Sequence, residues 1–91
     1  MNDLVAKKYS ETFKALAHPV RCGILVLLNQ HEYSVKEICE DLHRRQSNIS
    51  QHLQILRESG LLTFKKKGRR RIYKLNQDQK EIVKHLLEFK L

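Results

Sequence analysis

The chain has 91 residues, with 41% hydrophobic and 31% charged residues, which fits one soluble domain with a modest core and excludes a disordered protein. It shows no membrane-length apolar run and no secretory signal pattern, so we expect a cytoplasmic protein without a membrane partner. The formal net charge is +8, and residues 43–74 carry ten basic residues against one acid, a segregation that favours a polyanionic partner.

Two helices are predicted in the first third of the chain. Tyr9, Phe13, Leu16 and Ala17 have the i, i+4, i+7, i+8 spacing of one helix face. That helix should end before Pro19, because the residue before a proline avoids helical torsion angles. Pro19 then suits the first turn of a second helix. The inner face of that helix is apolar and comprises Val20, Ile24, Leu27 and Leu28.

Two short helices joined by a polar turn follow. Ser34 and Glu37 have the spacing of a capping box, which predicts the start of a third helix. After a turn at residues 43–45, a fourth helix is expected from about Gln46 to Glu58, with Gly60 in the position of a left-handed C-terminal cap. The inner faces of these two helices comprise Val35, Ile38, Cys39, Leu42, Ile49, Leu53 and Leu56.

The apolar period then changes from helical to alternating. Residues 62–66 and 70–74 are predicted as two strands joined at Gly68, which can adopt the positive φ of a tight turn. A final helix carries Ile82, Val83, Leu86 and Leu87. The chain is thus mostly α with a β-hairpin, in the order α-α-α-α-β-β-α. We expect residues 1–91 to form a single winged helix-turn-helix domain.

Two groups of residues are candidates for binding double-stranded DNA. Polar side chains around the start of the fourth helix can bond to base edges or phosphates, although ordinary N-terminal helix residues look similar. The hairpin carries seven cations in ten residues without an acid, far more than a charged edge strand needs to prevent aggregation. The candidates are Arg45, Gln46, Ser47, Asn48, Ser50, Gln51, His52, Lys65, Lys66, Lys67, Arg69, Arg70 and Arg71.

Four segments of the chain resemble the ArsR/SmtB family of winged-helix repressors: residues 16–21, 46–53, 56–62, and 68–69 with 73–75. The resemblance runs from about Tyr9 to Leu91. It implies a homodimer joined through the first and last helices, with the fourth helix in the major groove and the hairpin along a minor groove. Dimer symmetry then implies an operator with an inverted repeat.

The family's familiar metal sites do not match this sequence. The positions of the arsenic-type cysteine pair hold Ser34 and Lys36, and the opening positions of the zinc-type site hold Gln77 and Gln79. The sequence therefore predicts a regulator without a cofactor or metal, and it identifies no effector.

Several alternatives remain open. A thiol- or metal-responsive repressor could use Cys22 and Cys39, which are otherwise expected at or near the core, or His85 and Glu88. An RNA-binding module would need exposed aromatic residues beside its cations. A winged helix that contacts only proteins would not need the hairpin cations. An enzyme is not expected, because the sequence contains no phosphate-binding glycine loop and no catalytic constellation.

Overall fold

The computed structural model describes residues 3–88, which form five α-helices and three strands. Their bounds in chain order are α1 Asp3–Leu16, α2 Pro19–Gln30, β1 Tyr33–Ser34, α3 Val35–Leu42, α4 Gln46–Glu58, β2 Leu62–Lys67, β3 Arg70–Leu75, a 3-10 turn Gln77–Gln79, and α5 Lys80–Glu88. The fold is the expected winged helix-turn-helix, in which α4 is the recognition helix and the β2–β3 hairpin is the wing.

Among the strands of the described chain, β1 is the one that the sequence did not predict. It pairs with β3 in antiparallel register, Tyr33 opposite Tyr73 and Ser34 opposite Ile72, and the sheet order is β1-β3-β2. Two residues are too few to show an alternating pattern. The strands β2 and β3 each extend one residue beyond the predicted ends.

The predicted start of the third helix is confirmed. The Ser34 hydroxyl accepts a hydrogen bond from the Glu37 backbone N–H at 3.1 Å, and the Glu37 carboxylate accepts one from the Ser34 N–H at 2.9 Å. Hydrogen bonding of its carboxylate to the backbone N–H of Ser34, and to a smaller extent to the Ser34 side chain, favours the charged form and lowers the pKa of Glu37. Because Ser34 also ends β1, the capping box fixes the junction between the sheet and the helix-turn-helix.

Residues with a left-handed backbone conformation lie at the ends of three elements. Gly60 and Gly68 have φ values of 84° and 65°, as expected for a helix end and a hairpin turn. His43 has a φ of 53° at the C-cap of α3, and this sharp reversal sets the angle between α3 and α4.

The core lies between α2, α3, α4, the sheet and the buried side of α5. Its most deeply buried side chains are Ile24, Leu25, Ile38, Ile49, Leu53, Leu56, Leu61 and Val83. Within residues 3–88 no helix is long and apolar enough to cross a membrane.

Most of the apolar face of α1 lies outside this core, although Leu16 packs against it. Tyr9 and Phe13 are 54% and 59% exposed, and Ala15 is the buried residue of the helix. On α5, Ile82 and Leu86 are also exposed, although Val83 is buried. Helical spacing therefore predicted these apolar faces correctly but not which surface covers them.

Candidate nucleic-acid interface

The outer face of the recognition helix is polar and exposed. Arg45 occupies the N-cap position and makes no capping hydrogen bond with its side chain. The helix start therefore presents backbone N–H groups beside an exposed cation, an arrangement suited to anions. The exposed polar residues of the first two turns are Gln46, Ser47, Ser50 and Gln51.

The wing presents its cations to solvent. Across the hairpin, Lys66 lies opposite Arg71 and Lys67 lies opposite Arg70, so like charges face each other on neighbouring strands. Among residues 3–88, the ion pair that involves the wing joins Lys65 Nζ to the Glu32 carboxylate at 3.4 Å. The wing arginines are exposed rather than neutralised by buried acids.

The recognition helix and the wing lie on the same side of the molecule and enclose a pocket of about 410 Å³. None of the side chains that line this helix–wing pocket is a carboxylate. They are Ser34, Val35, Lys36, Gln46, Ser50, Gln54, Arg57, Arg69, Arg70, Arg71 and Tyr73. The pocket therefore combines hydrogen-bond donors with five positive charges, which suits the phosphate groups of a nucleic acid.

Comparison with known proteins places this geometry in a family. Residues 18–63 match the family described as "Bacterial regulatory protein, arsR family". The chain is 40% identical over 65 residues to the HTH-type transcriptional repressor SmtB of Mycobacterium tuberculosis, which covers 71% of this chain and 48% of that protein. The chain belongs to the arsR family. The arsR family consists of transcriptional regulators rather than enzymes, which agrees with the expectation that the chain is not an enzyme.

Solved structures of similar proteins share the whole fold. HlyU from Vibrio cholerae superposes with a TM-score of 0.85 at 34% identity, covering 94% of each chain. A homodimeric winged helix-turn-helix DNA-binding domain from Mycobacterium bovis gives a TM-score of 0.87 at 26% identity, covering 96% of this chain and 84% of that one. The ArsR-family chain spans about half the length of the SmtB repressor that it matches.

The prediction that His52 contacts DNA is corrected by the structure. His52 is only 8% exposed, because its side chain turns inward. Its ring centroid lies 4.4 Å from that of His18, and its Nδ1 lies 3.5 Å from Arg21 Nη1. Burial, followed by the nearby positive charges of His18, Arg21 and Arg44, lowers the pKa of His52. A neutral His52 thus packs the recognition helix against the start of α2.

Asn48 lies at the edge of the recognition face. Its side chain is half-buried, and its Oδ1 is buried without a hydrogen-bond partner among the described residues. The other residues predicted on this helix, at positions 46, 47, 50 and 51, are exposed as expected.

Three exposed residues that line the pocket were not among the predicted site residues: Lys36, Gln54 and Arg57. Positions 46, 50, 54 and 57 follow the i, i+4, i+8, i+11 spacing of a single helix face. Extending the polar face of α4 beyond the second turn of the helix would have predicted Gln54 and Arg57 as site residues. Lys36 comes from α3, and only the angle between α3 and α4 brings it to the same pocket.

The residues of the familiar metal sites do not fit a metal ion. Ser34, at an arsenic-type position, is buried and bonded within the capping box, and Lys36 is a cation. Within residues 3–88 no three His, Cys, Asp or Glu side chains are grouped as metal ligands. His85 Nε2 lies 3.9 Å from the carboxylate of Glu81, one turn before it on α5.

The two cysteines have different surroundings. Cys39 is half-buried against the core as expected, and burial raises the pKa of its thiol, which disfavours the reactive thiolate. The expectation of a near-core Cys22 is wrong, because this residue is exposed. Its Sγ donates a hydrogen bond to the Leu16 carbonyl at 2.9 Å, across the bend between α1 and α2.

Proposed function

We propose that this ArsR-family chain binds double-stranded DNA through its recognition helix and wing and represses transcription as a homodimer. The observation that carries the proposal is the helix–wing pocket, whose five cations have no carboxylate among the lining residues. Clustered cations repel one another in the free protein, and a phosphate backbone relieves that repulsion. Repression is proposed because the similar SmtB protein is named a transcriptional repressor.

The two elements have different roles in this proposal. Short amide and hydroxyl side chains on α4 read base edges in the major groove, where such groups distinguish base pairs. The cations of the wing bind phosphates whatever the sequence, which fixes the protein on the duplex. The base-reading group comprises Gln46, Ser47, Ser50 and Gln51, with Asn48 at its edge. The phosphate-binding group comprises Arg45, Lys65, Lys66, Lys67, Arg69, Arg70 and Arg71.

The exposed apolar faces of α1 and α5 support a homodimer. Tyr9 and Phe13 line an open apolar groove on α1, and Ile82 and Leu86 are exposed on α5. Both helices pack against α2 within the chain, and we propose that a second copy covers their exposed faces. The similar domain from Mycobacterium bovis is described as homodimeric. Two-fold symmetry would match an inverted-repeat operator, and we propose that the dimer acts in the cytoplasm.

Binding of labelled nucleic acids, measured by fluorescence anisotropy, tests this proposal. We expect a 30-base-pair duplex, about three helical turns, to bind at least about tenfold more tightly than single-stranded RNA of the same sequence. The burial of Tyr73 supports this order of affinities, because a buried ring cannot stack on bases. Equal or tighter binding to RNA would contradict the proposal and favour an RNA-binding module.

A further inference from the structure

Phe64 holds two arginines that come from different elements. The Cζ atom of Arg57, near the end of α4, lies 5.1 Å from the centroid of the Phe64 ring. The Cζ atom of Arg71, on β3, lies 4.8 Å from the same centroid. The ring itself is half-buried and packs on buried Tyr73 with centroids 5.2 Å apart, so its position is fixed by the core.

Two guanidinium groups at this spacing repel each other. Both lie within about 5 Å of one ring, so their Cζ atoms are no more than about 10 Å apart. No ion pair of the described residues neutralises either arginine. The electron-rich face of an aromatic ring attracts guanidinium groups and offsets part of the repulsion. Phe64 therefore keeps two cations close together without cancelling their charge.

Both arginines line the helix–wing pocket, together with hydroxyl and amide donors from Ser50 and Gln54. A guanidinium group offers a planar pair of N–H donors that matches phosphate oxygens, so arginines held in place bind phosphate at a lower entropic cost. The pocket volume of about 410 Å³ admits a phosphodiester with its sugar. Its chemistry is therefore that of a phosphate site rather than of a diffuse charged surface.

We propose that the helix–wing pocket binds a phosphate group through Arg57 and Arg71, and that Phe64 is the positioning residue for both. The inference deepens the proposed function and rests on it, since the phosphate supplied there is one of the DNA backbone. A free phosphate ion has the same chemistry, and the experiment below separates the two sources.

A mutant cycle on duplex binding tests the role of Phe64. We expect Phe64→Leu to weaken binding about threefold to tenfold. Phe64→Tyr keeps an aromatic ring and should bind the duplex about as tightly as wild type. The double variant Arg57→Gln/Arg71→Gln should weaken binding about tenfold or more, and adding Phe64→Leu to it should change nothing further. The control Lys7→Gln/Lys84→Gln removes the same charge from α1 and α5, and should cost less than the arginine pair.

Thermal unfolding of each variant shows whether a loss of duplex binding is accompanied by a loss of stability. If Phe64→Leu weakens binding equally with and without the two arginines, Phe64 acts through stability and the inference is wrong. If wild-type protein binds duplex DNA but the arginine pair costs no more than the control, the pocket is not a phosphate site. Wild-type protein that binds no duplex at all would instead refute the proposed function.

Competition by inorganic phosphate identifies the source of the bound group. For a backbone phosphate, adding phosphate should displace the duplex no more than chloride of equal ionic strength does. If phosphate displaces the duplex more strongly from wild type, but not from the arginine variant, the pocket also binds the free ion and the site assignment is supported. If phosphate displaces the duplex more strongly than chloride does, and equally from both proteins, the assignment of the site to Arg57 and Arg71 is contradicted.

Discussion

Arg21 and His52 connect the N-terminal helix to the recognition helix. Arg21 Nε donates a hydrogen bond to the Ala15 carbonyl at 2.6 Å, and its Nη2 donates one to the Lys14 carbonyl at 3.2 Å. The same guanidinium reaches His52 on α4. Protonation of His52 would place a buried positive charge beside Arg21, and no acid within residues 3–88 forms an ion pair there.

This arrangement predicts a specific pH dependence of stability. Because the pKa of His52 is lowered on folding from its ordinary 6.5, the unfolded chain binds this proton more readily than the folded one. The free energy of unfolding should therefore fall as pH decreases below about 6.5 toward the folded-state pKa, and this contribution should be constant above 6.5.

Urea unfolding of wild type and His52→Asn at pH 7.5, 6.5 and 5.5 measures this effect. The variant should lose less stability than wild type on acidification. His43→Asn is the matched control, because His43 is exposed and asparagine readily adopts its left-handed backbone. An unchanged pH dependence in His52→Asn would show that another group is responsible.

The inward position of His52 could have been predicted from the sequence. It lies three residues after Ile49 and four before Leu56, on the flank of the apolar stripe of α4. Its polar character suggested a position at the edge of the outer face instead. The contacts with His18 and Arg21 could not have been predicted, because they join residues that are 34 and 31 positions away in the sequence.

At the level of elements, α4 and the wing should contribute differently to binding. Ser50→Ala and Gln51→Ala remove groups proposed to read bases. We expect each to reduce the preference for a site obtained by in vitro selection by about 1–3 kcal/mol, with a smaller change on random duplex. Arg69→Ala/Arg70→Ala/Arg71→Ala should weaken selected and random duplexes alike.

Titration of both duplexes with each variant, by fluorescence anisotropy, checks this division. Thr63→Ala provides a control on the wing, because it leaves the cations in place. If the triple arginine variant kept full affinity, the assignment of the wing to phosphate binding would be wrong. A uniform loss for Ser50→Ala and Gln51→Ala would remove α4 from base recognition.

The elements themselves were largely predictable, for reasons that differ along the chain. The capping box at Ser34 and the glycines at 60 and 68 are local signals, and they set α3, the end of α4 and the wing turn correctly. The strand β1 depends on pairing with β3, about 40 residues later, and therefore had no local signal. Arg57 and Phe64 are close in sequence, but their contact depends on how β2 folds back onto α4, which no local pattern indicates.

At the scale of the whole molecule, the apolar residues left outside the core need a partner surface. The groove on α1 includes Tyr9 and Phe13, which together with Ile82 and Leu86 expose large side chains on two helices. Such faces are typical of oligomer interfaces. A small domain also gains stability when a second copy covers them.

Phe13→Glu should dissociate the proposed dimer. A carboxylate at the centre of an apolar interface loses its hydration without gaining a partner, so the dimer dissociation constant should rise about tenfold or more. Sedimentation velocity over a range of concentrations measures it. Thr12→Glu adds the same charge to the neighbouring position and should remain dimeric. A wild-type protein that sediments as a monomer at all concentrations would contradict the dimer.

The combined face of α4 and the wing is proposed to bind a duplex through its phosphates. The most direct test of this proposal is the affinity of the wild-type protein for a random 30-base-pair duplex as a function of salt concentration. If the dimer contacts roughly 6–8 phosphates, the affinity should fall by about three orders of magnitude or more between about 50 mM and 200 mM salt. An affinity that stays nearly constant over this range would contradict the account.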